Sequence, residues 1–189
     1  MLRSTLLFLL FWSSTAVFAE ETLPICHGYS CVAQVDIRYS RGQLGDVRRQ
    51  LFSAVDAADE RKMLAEVIGQ LYRWAGQQSD VRNDRGGNYA DGHAPGKMDC
   101  IDHSTSTTRL LGLLEKRGYL RWHRVLAPEP RYLLGLVASH WSAVIEEITE
   151  NNDAGDMARF VVDSWFVDNG EPAVILPLAD WKKGAGPDV

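Results

Sequence analysis

The apolar residues of this chain change their spacing part-way along it, and this change is the strongest constraint on the fold. In residues 43–77 they recur every three or four positions, which is typical of helices that bury one face, and after Gly118 the pattern becomes that of strands. This spacing predicts a helix over residues 43–55 and a stronger one over 57–77, and a third helix is predicted over 101–117. Strands are then predicted over 119–126, 140–148, 160–167 and 173–178. Helices followed by an antiparallel sheet predict an α+β fold.

The first 19 residues have the three parts of a secretory signal. Arg3 supplies a positive charge, an apolar stretch follows, and Val17-Phe18-Ala19 offers a cleavage site after Ala19. The apolar stretch is shorter than the roughly 20 residues that a membrane span needs. We therefore expect residues 20–189 to form one exported domain, periplasmic or secreted, without membrane contact after cleavage. The net charge of −5 and the lack of a basic run predict no nucleic-acid partner.

The three cysteines of the chain all follow the predicted cleavage site. Cys26 and Cys31 are close together in residues 20–40, an arm predicted to be extended, and in an oxidising compartment we expect them to form a disulfide. Cys100 is then the unpaired thiol. An odd cysteine in an exported protein is a reactive thiol, an intermolecular link or a buried inert residue.

Cys100 is predicted at the first turn of the third helix, after the glycine-rich loop of residues 79–98. A helix N-terminus supplies the positive potential that favours a thiolate. A nucleophilic thiol also needs a histidine as base and a group that orients this histidine. The chain has five histidines: His27, His93, His103, His123 and His140.

His140 is the favoured base because it opens a predicted strand that can face the helix. Asp163 is a charged residue in an otherwise apolar strand, so it needs a partner. The polar segment 149–157 can join the two strands in a hairpin. We therefore expect His140 and Asp163 to meet, whereas His103 and His123 are interpreted as structural.

The residues Gly96-Lys97-Met98-Asp99-Cys100-Ile101-Asp102, His140-Trp141 and Val162-Asp163-Ser164-Trp165 resemble the transglutaminase-like superfamily. Among its members they are most similar to the bacterial transglutaminase-like cysteine proteinases. The resemblance covers about residues 87–178, with residues 42–78 as a helical part before this core. It implies a papain- or transglutaminase-like core in which the Cys100 helix packs on an antiparallel sheet.

The resemblance also implies an activity. Cys100 would be the nucleophile, His140 the proton carrier and Asp163 the orienting acid, cleaving peptide or amide bonds of a protein or peptide through an acyl-thioenzyme. Acyl transfer to an amine and a non-catalytic binding module are the alternatives. The oxyanion would be met by the Cys100 N–H and one side-chain donor, for which Asn88 is favoured over Gln77, Gln78 and Trp74.

Asp99 and Asp102 flank the candidate nucleophile and can be interpreted in two ways. As N-cap and third helical residue they would form a capping box. The resemblance alternatively implies a calcium site, although the family has an acid directly after the cysteine, where this chain has Ile101. We favour the capping box, so no cofactor is required and calcium stays an alternative.

Overall fold

A β-hairpin precedes the helices, and further strands follow them. The computed structural model describes residues 20–87, 92–133, 137–148 and 158–187. The helices in these ranges are α1 (Arg41–Phe52), α2 (Ala57–Gln78), α3 (Cys100–Lys116) and α4 (Leu178–Lys182), with a 3-10 turn at Asp80–Asn83. The strands are β1 (Glu21–His27), β2 (Ala33–Tyr39), β3 (His123–Leu133), β4 (Val137–Glu147), β5 (Arg159–Asp163) and β6 (Val174–Pro177).

These elements confirm the predicted α+β class, with antiparallel pairing in both sheets of the described ranges. The predicted export signal over residues 1–19, Asn88 and the polar segment 149–157 lie outside the described residues. Within the described ranges, no helix has both the length and the apolar character of a membrane span.

The arm predicted for residues 20–40 is a paired hairpin. Its register runs from Glu21 opposite Tyr39 to His27 opposite Ala33. The disulfide between Cys26 and Cys31 closes its turn and confirms the predicted pairing. Disulfides persist in oxidising compartments, and the bond therefore agrees with a chain that folds in such a compartment.

The helices match their predicted bounds to within a few residues. α2 begins after Asp56, whose side chain accepts the N–H of Asp59, and it buries Leu64, Ile68 and Leu71 on one face. α3 ends where Gly118 adopts a positive φ of 67°, a conformation that costs glycine little. Local signals therefore set both ends of these helices.

The strands differ more from their predicted bounds. Among the described residues the main sheet has the order β3-β4-β5-β6, with antiparallel neighbours. β3 continues to Leu133 and β4 begins at Val137, whereas the corresponding predicted strands end at residue 126 and begin at residue 140. β5 ends at Asp163 rather than at residue 167, because the Asp163 side chain accepts the N–H of Trp165 and turns the chain out of the ladder.

The sheet is covered on both faces. Ala143, Ile145 and Val162 point into the core that contains the apolar faces of α1, α2 and α3. Their neighbours Val144 and Val161 point the other way, into a cluster that contains Phe166, Leu178 and Trp181. The alternation follows from the two-residue period of a strand, and it places α4 on the face opposite the long helices.

Candidate active site

Cys100 is the first residue of α3 and is partly buried. The thiol interacts with the backbone N–H of Trp141 in β4 and with its own N–H, and both interactions lower its pKa. The thiol therefore lies against β4 at the position directly after His140. It is the free cysteine among the described residues, as predicted.

His140 and Asp163 form a buried pair. Nε2 of His140 lies 2.7 Å from Oδ2 of Asp163, and both side chains are almost fully buried. The register explains the contact: Ala143 pairs with Val162, so the next step sets Asp163 opposite Ser142, diagonal to His140. The predicted meeting of these two residues across the hairpin is therefore present.

Three aromatic rings enclose the imidazole of His140. The ring centroids of Trp165, Phe166 and Trp181 lie 4.5, 5.5 and 5.6 Å from the His140 centroid. Trp181 also donates its indole N–H to Oδ2 of Asp163 at 2.9 Å. These contacts fix the imidazole plane and leave Nδ1 as the nitrogen that does not face Asp163.

The groups around the Cys100 thiol have opposing effects on its pKa. Burial raises its pKa above the ordinary value, and the carboxylates of Asp99 and Asp163 raise it further. The N–H groups of Trp141 and Cys100 lower the pKa in part, because they stabilise a thiolate. The net direction is upward, so the thiol by itself holds its proton at neutral pH.

Asp99 and Asp102 form the capping box that the sequence predicted. Oδ1 of Asp99 accepts the N–H groups of Ile101 and Asp102, and Oδ2 of Asp102 accepts the N–H of Asp99. Burial raises the pKa of Asp102, with the Asp99 charge adding to it and the backbone N–H groups opposing it. The two acids therefore begin the helix that carries Cys100.

The same carboxylates also hold the disulfide-closed turn of the hairpin. Oδ2 and Oδ1 of Asp102 accept the N–H groups of Tyr29 and Cys31, at 2.8 and 2.7 Å. Oδ2 of Asp99 accepts the N–H of Ser30 at 2.9 Å. Residues 28–31 all have a positive φ angle, which residues other than glycine rarely adopt. We call residues 28–31 the left-handed turn.

The donors around these two carboxylates do not fit a calcium ion. All four carboxylate oxygens accept at least one backbone N–H, whereas calcium takes six to eight oxygen ligands. The sulfurs of Cys26 and Cys31 lie near Asp102, but both belong to the disulfide and offer no thiolate. The arrangement is that of a hydrogen-bonded helix start.

Three of the four candidate side-chain donors to the oxyanion lie within the described residues. Asn88 lies outside the described residues. Gln78 is committed to β2, where its amide bonds both the N–H and the carbonyl of Arg38. Gln77 is exposed and Trp74 packs against the main core. The Cys100 N–H, at the first residue of α3, remains the expected backbone donor.

A network of buried polar side chains around His103, on the same helix as Cys100, was not predicted from the sequence. Nδ1 of His103 lies 2.9 Å from Oγ of Ser164, and its Nε2 lies 3.0 Å from Oδ2 of Asp84. Ser164 continues the network through Thr107 to the hydroxyl of Tyr72. Burial lowers the pKa of His103, but the Asp84 carboxylate outweighs it and the net shift is upward.

This network agrees with the interpretation of His103 as structural, and His123 is likewise buried against Glu60. Asp84 is almost fully buried and also accepts the N–H of Met98. It therefore anchors the loop that leads to Cys100. Its position in a polar, glycine-rich segment carries no signal of burial, so sequence reasoning could not single it out.

Comparison of the chain with protein-family models, with curated proteins and with solved structures gives no match in any of the three.

Proposed function

We propose that this chain is an exported thiol hydrolase of transglutaminase-like type that cleaves peptide or amide bonds of a protein or peptide substrate. The observation that carries the proposal is the buried pair of His140 and Asp163, whose Nε2 and Oδ2 atoms lie 2.7 Å apart. His140 directly precedes Trp141, whose backbone N–H interacts with the Cys100 thiol. A nucleophile, a base and an orienting acid in this relation are what thiol catalysis requires.

The contact with Asp163 assigns the protons of His140. A carboxylate accepts a hydrogen bond, so Nε2 carries the proton and Nδ1 has the free lone pair. In the proposed mechanism Nδ1 takes the proton of the Cys100 thiol as the sulfur attacks the substrate carbonyl carbon. Asp163 stabilises the imidazolium that this transfer creates.

The remaining steps return the site to its starting state. The carbon–nitrogen bond of the tetrahedral adduct breaks, the amine leaves with the proton from His140, and an acyl-thioenzyme remains. His140 then takes a proton from water, whose oxygen attacks the thioester carbon. The carbon–sulfur bond breaks, and the Cys100 sulfur takes the proton back from His140. The Cys100 N–H is the backbone donor for the oxyanion in both halves.

The upward shift of the thiol pKa determines the form of this chemistry. Burial and the carboxylates of Asp99 and Asp163 favour the neutral thiol, so we expect the free protein to hold Cys100 as a thiol and not as a thiolate. The proposal therefore uses His140 as a general base that acts as the thiol attacks. The helix N-terminus and the Trp141 N–H stabilise the charge that develops on sulfur.

The rate of Cys100 alkylation by iodoacetamide, measured against pH, tests this function. We expect the wild-type chain to react appreciably at neutral pH, below the ordinary cysteine pKa of about 8.5. H140A should react at neutral pH at least about tenfold more slowly, since base assistance typically contributes more than that. H93A, which removes an exposed histidine, is the matched control and should keep the wild-type profile.

Identical profiles for the wild-type chain and H140A, each rising only above the ordinary cysteine pKa of about 8.5, would contradict the proposal. D163N should lie between the wild-type chain and H140A, because it keeps the imidazole but removes the charge that stabilises the imidazolium.

A further inference from the structure

An open groove of about 520 Å³ lies beside the His140 site, on strand β3. Its walls are Glu129, Pro130, Arg131, Tyr132 and Lys182. Arg131 stands directly opposite His140 in the β3–β4 register, so the two side chains leave the same face of the sheet. Arg131 is therefore the groove residue that lies next to His140 in the sheet.

Arg131 is held in place by the rings that also enclose His140. Its guanidinium carbon lies 5.3 Å from the centre of the Trp181 ring and 5.7 Å from that of Phe166. It also donates to the carbonyl of Ala185. Stacking of this kind orients the planar guanidinium, and it leaves N–H groups at the edge of the plane for a ligand.

Among the side chains that line the groove, one positive charge is not balanced by a carboxylate. Lys182 lies 2.6 Å from Glu129, and Arg159 approaches the same carboxylate at 3.9 Å. Glu129 is therefore neutralised by its neighbours. Arg131 has no carboxylate partner within the described ranges, where its contacts are two rings and a backbone carbonyl.

We propose that this groove binds a carboxylate of the substrate through Arg131, so that the preferred substrates are acidic near the bond that is cleaved. The inference rests on the proposed hydrolase function, because it supposes an amide at Cys100. The guanidinium fork matches a carboxylate with two parallel hydrogen bonds. The carboxylate belongs either to an acidic side chain or to a chain terminus, and the chemistry of recognition is the same.

A series of tripeptide vinyl sulfones that label Cys100 tests this subsite. Glu or Gln occupies each position in turn, and a further pair ends in a carboxylate or a carboxamide. Each labelling rate is divided by the iodoacetamide rate of the same variant, so that differences in the intrinsic reactivity of the Cys100 thiol cancel. At low salt we expect one acidic probe to react about three- to tenfold faster than its neutral counterpart, with a smaller ratio at high salt.

The variant R131Q should lose this preference. K183Q removes an exposed cation of the same region that pairs with Asp180 outside the groove, and it should retain the preference. Equal rates for every acidic and neutral pair, or a preference that persists in R131Q, would overturn the proposal. Labelling needs only a reactive thiol, so the probes report on the groove even if the His140 test contradicts hydrolase chemistry.

Discussion

The indole N–H of Trp181 donates to Oδ2 of Asp163 at 2.9 Å, and the same oxygen lies 2.7 Å from Nε2 of His140. One carboxylate oxygen therefore joins α4 to the candidate base on β4. Oδ1 of Asp163 accepts the N–H of Trp165, so both oxygens are occupied. The carboxylate cannot rotate without losing one of these donors.

We expect W181F to weaken the site while keeping most of the packing. The variant removes one hydrogen bond to a charged group, which costs about 2 kcal/mol of unfolding free energy. The Cys100 alkylation rate at neutral pH should also fall, because Asp163 gains freedom and orients His140 less well. Urea unfolding and the alkylation profile measure the two effects.

W122F is the matched control for that variant, since Trp122 lies under the Arg121 guanidinium, away from Asp163. It should leave the alkylation profile at the wild-type level. An unchanged profile in W181F would show that the indole does not act through Asp163.

The Asp84–His103 pair predicts a pH dependence of stability. The folded-state pKa of His103 is raised, so its stabilisation is complete below the unfolded pKa of about 6.5 and is lost as pH rises through the folded value. Groups with lowered pKa, such as Glu60 and Asp168, lose stability only at acidic pH. Urea unfolding at pH 5.5 and 8.5 measures this loss, to which the raised pKa values of Asp102 and Cys100 contribute in the same direction, so the part due to His103 is read from the D84N variant.

D84N should cost about 3–5 kcal/mol of unfolding free energy, because it leaves a buried partner without its counter-charge. The loss should be larger at pH 5.5 than at pH 8.5. D168N, at an exposed ion pair with Arg85, should cost less and show no such difference. Equal losses for D84N at the two pH values would contradict a charged His103.

Removal of the disulfide in the double variant C26S/C31S should act on Cys100 at a distance. The left-handed turn would lose its closure, and its N–H groups would leave Asp99 and Asp102. We expect a loss of about 2 kcal/mol in unfolding free energy and a higher thiol pKa, since the two carboxylates lose their donors. Thermal unfolding and the alkylation profile measure these changes.

A reducing agent should reproduce both effects in the wild-type chain and have no effect on the double variant. A double variant with wild-type alkylation would mean that the turn is held without the disulfide.

Calcium should leave the protein unchanged. The oxygens of Asp99 and Asp102 face N–H donors, so we expect the same thermal midpoint with millimolar calcium and with a chelator. Scanning calorimetry makes the comparison, and a calcium-dependent rise in the midpoint would restore the alternative that the family resemblance suggested.

Much of the candidate site could be predicted because its signals are local. Cys100 follows a capping pattern, and Asp163 is a charged residue in an apolar strand. The contact between Asp163 and His140 needs only the antiparallel pairing of their two strands, which the register shows.

Other contributions depend on tertiary packing that no local pattern encodes. Trp181 reaches Asp163 because α4 folds over the sheet, and its only signal is the three-residue spacing from Leu178. Asp84 is buried by the loop that it organises. The predicted strand ends at residue 126, whereas β3 continues through Pro128 and Pro130 to Leu133; β3 lies at the edge of the described sheet, where proline is tolerated.

The docking of the hairpin onto α3 has a consequence for the order of assembly. The N–H of Cys26 bonds Ser106, and Arg109 bonds the carbonyl of Pro24, across about 80 residues of chain. The earliest strands to be synthesised therefore wait for a helix made much later. Contacts of such long range slow folding, so we expect the docking of the hairpin on the start of α3, beside Cys100, to be a slow step of folding.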